Sequence, residues 1–275
     1  MEGALLRRVI TAAILAPVVV AGILFLPVPW FAGLIGVFVC LGAKEWGYLA
    51  ALPPRLAWSF CAGMVLAMPW IYLGAAASPW VPLALAGVAL PFWCLALAWI
   101  CRYERNGHAL CLSSGALILI GALLLLPTYA ALLGLRTGPH GAGALIFLLA
   151  LVWGADIAAY FAGRRFGRHK LAPRVSPGKT WEGAAGAALA TCLLTFFWIL
   201  WRGEPWGRAP TLLVFFLGTM AWSVVGDLLE SLFKRQRGCK DSGTLLPGHG
   251  GVMDRIDSLT AAAPIFLLCL YALEP

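Results

Sequence analysis

Asp227, Glu230, Ser231 and Lys234 stand at i, i+3, i+4 and i+7, so a helix would present all four on one face. Asp254, Asp257 and Ser258 repeat the i, i+3, i+4 spacing further on. Carboxylates at a helix N-terminus are favoured by its exposed N–H groups. Two helix ends would then offer aspartates to one cation. Carboxylate oxygens are hard ligands suited to Mg²⁺, and there is no His/Cys cluster that would favour zinc. The same stretch, 227–258, carries Lys234, Arg235, Arg237, Lys240 and Arg255 beside Asp227, Glu230, Asp241, Asp254 and Asp257. A loop that only attracts lipid needs Lys and Arg alone, so the mixture reads as a metal site next to an anion site. The turn Pro247-Gly248-His249-Gly250-Gly251 would let backbone approach a phosphate closely. The plainer alternative is a solvated loop of salt bridges.

A second group lies at 153–183. Asp156 follows Trp153, Gly154 and Ala155 inside an apolar run, and a carboxylate in a membrane span marks a functional site unless an Arg pairs with it. Gly163-Arg164-Arg165-Phe166-Gly167-Arg168 and Ser176-Pro177-Gly178-Lys179-Thr180 follow. Their glycines, hydroxyls and lysine suit phosphate contacts, although the spacing is not that of a Walker A loop. An ordinary basic membrane loop explains them equally well. Other polar residues carry less. His108 and His140 read as loop residues, His169 as solvated in a basic loop, and Glu45, beside Lys44 and Trp46, as a span-end residue reaching for the interface. The 13 Trp read as interfacial anchors and packing. None of the eight Cys forms a CxxC pair, so they read as small hydrophobes.

The elements that must position these groups are apolar. Of 275 residues, 61% are hydrophobic and 12% charged, about half the charged share of a soluble domain. The mean hydropathy is +0.87. An ordinary soluble enzyme and a disordered chain are both excluded, and an all-α polytopic membrane protein is expected. Nine apolar segments run roughly over 9–26, 28–43, 56–73, 79–100, 109–133, 141–163, 183–201, 209–226 and 259–273. Pro27 and Pro29 form a tight turn between the first two, and Pro91 interrupts the fourth. Arg7 and Arg8 resemble a signal-peptide n-region, but no small-x-small cleavage site follows, so the first segment is expected to be retained. With the N-terminus in the cytoplasm, 17 Lys and Arg fall inside and 3 outside, in keeping with the positive-inside rule. Stretches 164–182 and 227–258 hold 17 of the 32 charges. Residues 1–140 therefore read as a transmembrane scaffold, and 141–275 as the catalytic part of the same membrane domain, with cytoplasmic loops 164–182 and 227–258.

The run from Ser231 to Asp257 resembles the signature of the phosphatidate cytidylyltransferases (CDP-diacylglycerol synthases). That signature has Ser231, then Lys234-Arg235, then Lys240-Asp241, then Gly243, the Pro247–Gly251 turn, and Asp254-Arg255-x-Asp257. Upstream, Asp156, Tyr160, Gly163, Arg164, Phe166, Gly167, Ser176, Pro177, Lys179, Thr180, Glu182 and Gly183 also look like that family. Gly178 departs from it, since many relatives carry a second Lys there. The resemblance covers about 100 residues, and upstream of them only the multi-span character and Glu45-Trp46 agree.

The resemblance implies the reaction CTP + phosphatidate → CDP-diacylglycerol + pyrophosphate with Mg²⁺, in phospholipid biosynthesis. It implies metal binding by Asp227 and Asp254, and admits K⁺ beside Mg²⁺. Catalytic roles fall to Asp227, Asp254, Ser231, Lys234, Arg235, Lys240, Asp241, Arg255 and Asp257. Substrate binding falls to Asp156, Arg164, Ser176, Lys179, Thr180, Glu182, Gly248, His249, Gly250 and Gly251. CTP, phosphatidate and membrane lipids are the expected partners, nucleic acid is not, and a homodimer is compatible. A bacterial inner membrane with a cytoplasmic active site is expected. Three other readings stay open: an enzyme for another lipid phosphate or a CTP-using polyprenol or phytol kinase, a transporter with Asp156 and Asp227 as ion-coupling groups, and a silent lipid-binding scaffold.

Overall fold

The computed structural model describes residues 2–245 and 250–274, with backbone only for residues 2–12. Each of the nine apolar segments becomes a helix: α1 (Glu2–Phe25), α2 (Val28–Leu49), α3 (Pro54–Ala77), α4 (Trp80–Asn106), α5 (Ser114–Thr137), α6 (Gly141–Phe166), α7 (Trp181–Arg202), α8 (Ala209–Arg237) and α9 (Met253–Ala272). Among the described residues, eight helices are long and apolar enough to cross a membrane, α2 to α9, and Ala13–Phe25 of α1 is a shorter apolar helix. The chain is an all-α polytopic membrane protein. Pro27 accepts from the N–H of Phe31 and opens α2 at the expected turn.

One feature differs from the sequence expectation and two refine it. Pro91 lies inside an unbroken α4, because neighbouring helices can re-satisfy the backbone groups a membrane proline releases. The helices also outrun their apolar segments at one end. α8 continues to Arg237 and α9 begins at Met253, so Asp227–Lys234 and Asp254–Asp257 sit on helix, and the loop between them shrinks to 238–252. The first basic stretch also has its own structure. Strands β1 (Lys170–Ala172) and β2 (Ser176–Thr180) pair antiparallel, Lys170 opposite Thr180 and Ala172 opposite Ser176.

α9 is the central helix. It packs on α8, α5, α4, α6 and α2, and its apolar window is the most buried of the eight, at 67%. The end of α6 and the start of α7 pack closely. A Cβ on Gly183 would lie 2.9 Å from the Ala159 carbonyl oxygen, and one on Gly186 would lie 2.5 Å from the Ala162 Cβ. Trp46 of α2 is fully buried, donates from Nε1 to Leu117 O of α5 at 2.9 Å, and meets the Phe233 ring of α8 edge-on. These contacts tie the end of α2 to the end of α8.

The hydrogen bonds sort the charges into two ends. Glu104, Arg174 and Arg235 bond around the hairpin turn, and Glu45, Ser242 and Asp254 bond before α9, at one. Arg136 donates to Leu26 O, and Arg202, His140 and Glu274 cluster, at the other.

Candidate active site

The site is built on α8 and α9 where their charged turns meet. Lys234 Nζ donates to Glu230 Oε2 at 2.5 Å along α8 and to Asp254 Oδ1 at 2.7 Å across to α9. One turn towards the membrane interior, Ser231 Oγ donates to Asp227 Oδ1 at 3.2 Å. The other oxygen of Asp227 meets Lys179 Nζ at 2.8 Å. Gly226 permits this crossing, since a Cβ there would sit 2.5 Å from the Asp257 carbonyl oxygen. Asp257 Oδ1 accepts from the N–H of Ser258 at 2.7 Å. The carboxylates of Asp257, Glu230 and Asp227 lie within electrostatic range of one another. Glu230 is 2% exposed and lies beside Asp257 as well as Lys234. Asp156 on α6 lies within electrostatic range of Asp227, Lys179 and Arg255. The spacing pattern therefore does gather acidic and basic groups from three helices and one strand.

The hairpin delivers Lys179. Its turn is clamped from two sides. Glu104, near the end of α4, accepts from the N–H of Arg174 at 3.1 Å with each oxygen and from the N–H of Val175 at 2.7 Å. Arg235 Nε donates to Val175 O at 3.0 Å, and Arg174 Nη1 donates to Arg105 O at 2.9 Å. Thr180 is buried and caps α7, its Oγ1 accepting from Gly183 N at 3.1 Å.

The loop before α9 folds around carboxylates of the chain itself. Asp254 Oδ2 accepts from Ser242 N at 2.9 Å, Ser242 Oγ at 2.9 Å and Gly251 N at 2.8 Å. Glu45 of α2 is 5% exposed and accepts from Val252 N at 3.0 Å and Met253 N at 2.7 Å, and its Oε2 lies 3.1 Å from Ser242 Oγ. Gly250 has φ +81°, and a Cβ on it would lie 2.5 Å from Asp254 Oδ2. A Cβ on Gly251 would lie 2.3 Å from Glu45 Oε2, and one on Gly243 2.5 Å from Glu45 Oε1.

A family model described as the cytidylyltransferase family matches residues 6–273. The chain belongs to that family. Among its cytidylyltransferase relatives, the phosphatidate cytidylyltransferase of Pseudomonas aeruginosa is 43% identical over 279 residues, covering 97% of each chain. That of Haemophilus influenzae is 38% identical, covering 94% of this chain and 96% of the relative. That of Brucella suis is 50% identical over 130 residues, 47% of each chain.

Set against this cytidylyltransferase frame, the expected residues fall into three groups. Asp227, Ser231, Lys234, Asp254, Asp257 and Lys179 form one bonded or electrostatically linked group, with Asp156 and Arg255 beside it. Arg235, Lys240 and Asp241 are exposed at its border. The third group serves local structure. Arg164 donates to Tyr160 Oη, and Glu182 accepts from the N–H and Nδ1 of His169. Ser176 pairs with Ala172, and Thr180 caps α7. His169 is thus bonded to Glu182 instead of merely solvated. Gly248 and His249, with Pro247, lie outside the described residues. Gly250 and Gly251 do allow a close approach, and within the chain it is Asp254, Glu45 and Ser242 that lie against them. Two site-organising residues escape the sequence reading. Glu45 reads there as a span-end side chain, and Glu104 carries no signal beyond its place at the end of a span.

Proposed function

We propose that this end of the bundle transfers the cytidylyl group of CTP to the phosphate of phosphatidate, releasing pyrophosphate and forming CDP-diacylglycerol. The observation that carries the reading is the convergence of Lys179 and Lys234 on carboxylates of α8 and α9, in a chain similar over nearly its whole length to proteins named for that activity.

The chemistry asks for charge management. A phosphate monoester has a second pKa of about 6, so the acceptor is already largely dianionic at pH 7 and needs no strong base. Its oxygen attacks the α-phosphorus of CTP, and the bond from that phosphorus to the β-phosphate bridging oxygen breaks. The electron pair leaves with pyrophosphate, and no redox partner is required. The obstacle is repulsion between two anions. Lys179, Lys234, Arg235 and Arg255 would offset it, with Lys240 at the rim. Preorganised cations aimed at developing charge are the strongest lever available to such a site.

Mg²⁺ is the proposed cofactor, with Asp227 and Asp254 as its holders. The donor set fits. Mg²⁺ commonly takes one or two protein carboxylates and completes its shell with substrate phosphates and water. It therefore needs no cluster of three acidic or His/Cys ligands, and none occurs among the described residues. Buried Glu230 and Asp257, within electrostatic range of Asp227, add carboxylate oxygens at the same place. When bound, the ion would neutralise the triphosphate and stabilise the leaving pyrophosphate. K⁺ beside it would add to the same neutralisation. Lys234 and Lys179, which hold the two aspartates here, would turn towards phosphate oxygens. The excess of basic residues at this end supports a cytoplasmic active site on a bacterial inner membrane.

The test is conversion of phosphatidate to CDP-diacylglycerol by purified protein in detergent, with CTP, with Mg²⁺ or with EDTA. Product with Mg²⁺ and none with EDTA is the expected result. Product from another lipid phosphate but not from phosphatidate would overturn the acceptor, and no product from any would overturn the reading.

A further inference from the structure

α9 begins without a cap of its own. Val252 stands at its N-cap and supplies no side-chain acceptor. The first N–H groups of a helix have no partner within it and need one from elsewhere. Here the acceptor comes from another part of the chain. Glu45 of α2 takes the N–H groups of Val252 and Met253, one on each carboxylate oxygen, across 207 and 208 residues of sequence. A carboxylate at that place also complements the helix dipole.

Glu45 reaches further through Ser242. The Ser242 side chain is 1% exposed. Its Oγ lies 3.1 Å from Glu45 Oε2 and 2.9 Å from Asp254 Oδ2, and it accepts from Asp254 N at 3.3 Å. A hydroxyl has one proton to donate, so two carboxylates compete for it. Gly243 and Gly251 leave no room for a side chain because Glu45 fills the space. Trp46 next to it is locked into α5 and α8, so the carboxylate is held from behind as well.

We propose that Glu45 is a positioning residue for the α8–α9 centre. It fixes the start of α9 and thereby the aim of Asp254. It also offers the Ser242 hydroxyl a second acceptor, so that this hydroxyl keeps a hydrogen bond whichever carboxylate it serves. The role rests on the cytidylyl-transfer reading of that centre. Glu45 touches no reacting atom.

The experiment compares full-length wild type, Glu45→Gln, Glu45→Ala and Ser242→Ala in detergent. Two quantities are read: kcat and KM for CTP per folded molecule, and backbone amide hydrogen exchange in peptides spanning 242–254 without substrate. The amide of Glu45→Gln sets an NH₂ against one of the two backbone donors. It should speed exchange across 242–254 and leave exchange in α6 and α7 unchanged. Its kcat should fall about tenfold or more, the scale set by losing a charge-assisted hydrogen bond, with a smaller change in KM. Ser242→Ala keeps the Glu45 bonds to Val252 and Met253, gives up only the acceptor for Asp254 N, and should lose less, about threefold to tenfold. It also decides the matter if the Glu45 variants fail to fold. A merely structural Glu45 would lower the melting temperature and leave kcat per folded molecule at the wild-type value, which would overturn the proposal. Unchanged exchange in 242–254 would overturn it too. If wild type makes no CDP-diacylglycerol, the functional reading fails on its own, and the exchange data still report whether Glu45 anchors α9.

Discussion

α3 and α9 are apolar helices of similar length, 24 and 20 residues, yet 22% of the apolar window of α3 is buried against 67% for α9. Trp58, Leu66, Trp70 and Leu73 of α3 point outward, whereas Ala261, Ala262, Ala263, Phe266 and Leu267 of α9 are sealed inside. Composition does not separate the two helices; position does. A helix at the lipid boundary needs only to be apolar, and one at the centre must also fit every neighbour. The comparison extends to the two halves of the chain. The first half supplies hydrophobic bulk and two carboxylates, Glu45 and Glu104, that reach into the second half and set its geometry. Glu45 holds the start of α9, and Glu104 holds the hairpin that carries Lys179. The second half supplies the groups suited to chemistry.

This division can be broken most forcefully at the centre. Asp254→Asn removes the charge that Lys234 and three backbone or hydroxyl donors surround, and turnover should fall about 10²–10³-fold with the protein still folded. Activity within a few-fold of wild type would take Asp254 out of the chemistry. Lys179→Ala should cost about 10²-fold in kcat, since it removes one cation from the site and one partner of Asp227. Glu104→Gln tests the reach of the first half. About tenfold is expected there, accompanied by faster amide exchange at Arg174 and Val175. A loss without faster exchange would mean that Glu104 acts otherwise than through the hairpin.

Further from the site the effects turn to stability. A Cβ on Gly121 would lie 2.4 Å from the Trp46 ring, so Gly121→Ala should destabilise by about 1–3 kcal/mol and lower the melting temperature. Trp70→Ala on the outward face of α3 should leave kcat unchanged; a clear loss would show that the outer helices matter beyond bulk.

The opposite end gives the smallest effect. Burial and the Arg202 guanidinium push His140 below the ordinary histidine range. The unfolded chain therefore binds the proton more readily, and this residue takes stability away as pH falls through the unfolded value of about 6.5. His140→Gln should flatten that part of the thermal-stability profile between pH 7 and pH 5.

Much of this was legible from residue order. The apolar segments map one to one onto helices because a span must bury its backbone and be apolar along its length. The i, i+3, i+4 spacing of Asp227, Glu230 and Ser231, and of Asp254, Asp257 and Ser258, survives because the helices do continue past the apolar runs. Glu45 and Glu104 were not legible as site residues. A single glutamate at a span end has the same local pattern whether it meets water or caps a helix some 200 residues away. The glycines around position 250 were legible as a place of close approach, but periodicity holds no information on which group approaches. The β1–β2 hairpin is too short to show an alternating pattern among basic residues.

The most direct test of the central claim, that the α8–α9 carboxylates serve cytidylyl transfer, is CDP-diacylglycerol formation by purified Asp227→Asn beside wild type. It should be run at equal folded protein, with saturating CTP, phosphatidate and Mg²⁺. The account predicts a loss of about 10²-fold or more, with unchanged membrane insertion and a melting temperature close to wild type. Product formation within a few-fold of wild type would contradict it and remove Asp227 from the reaction.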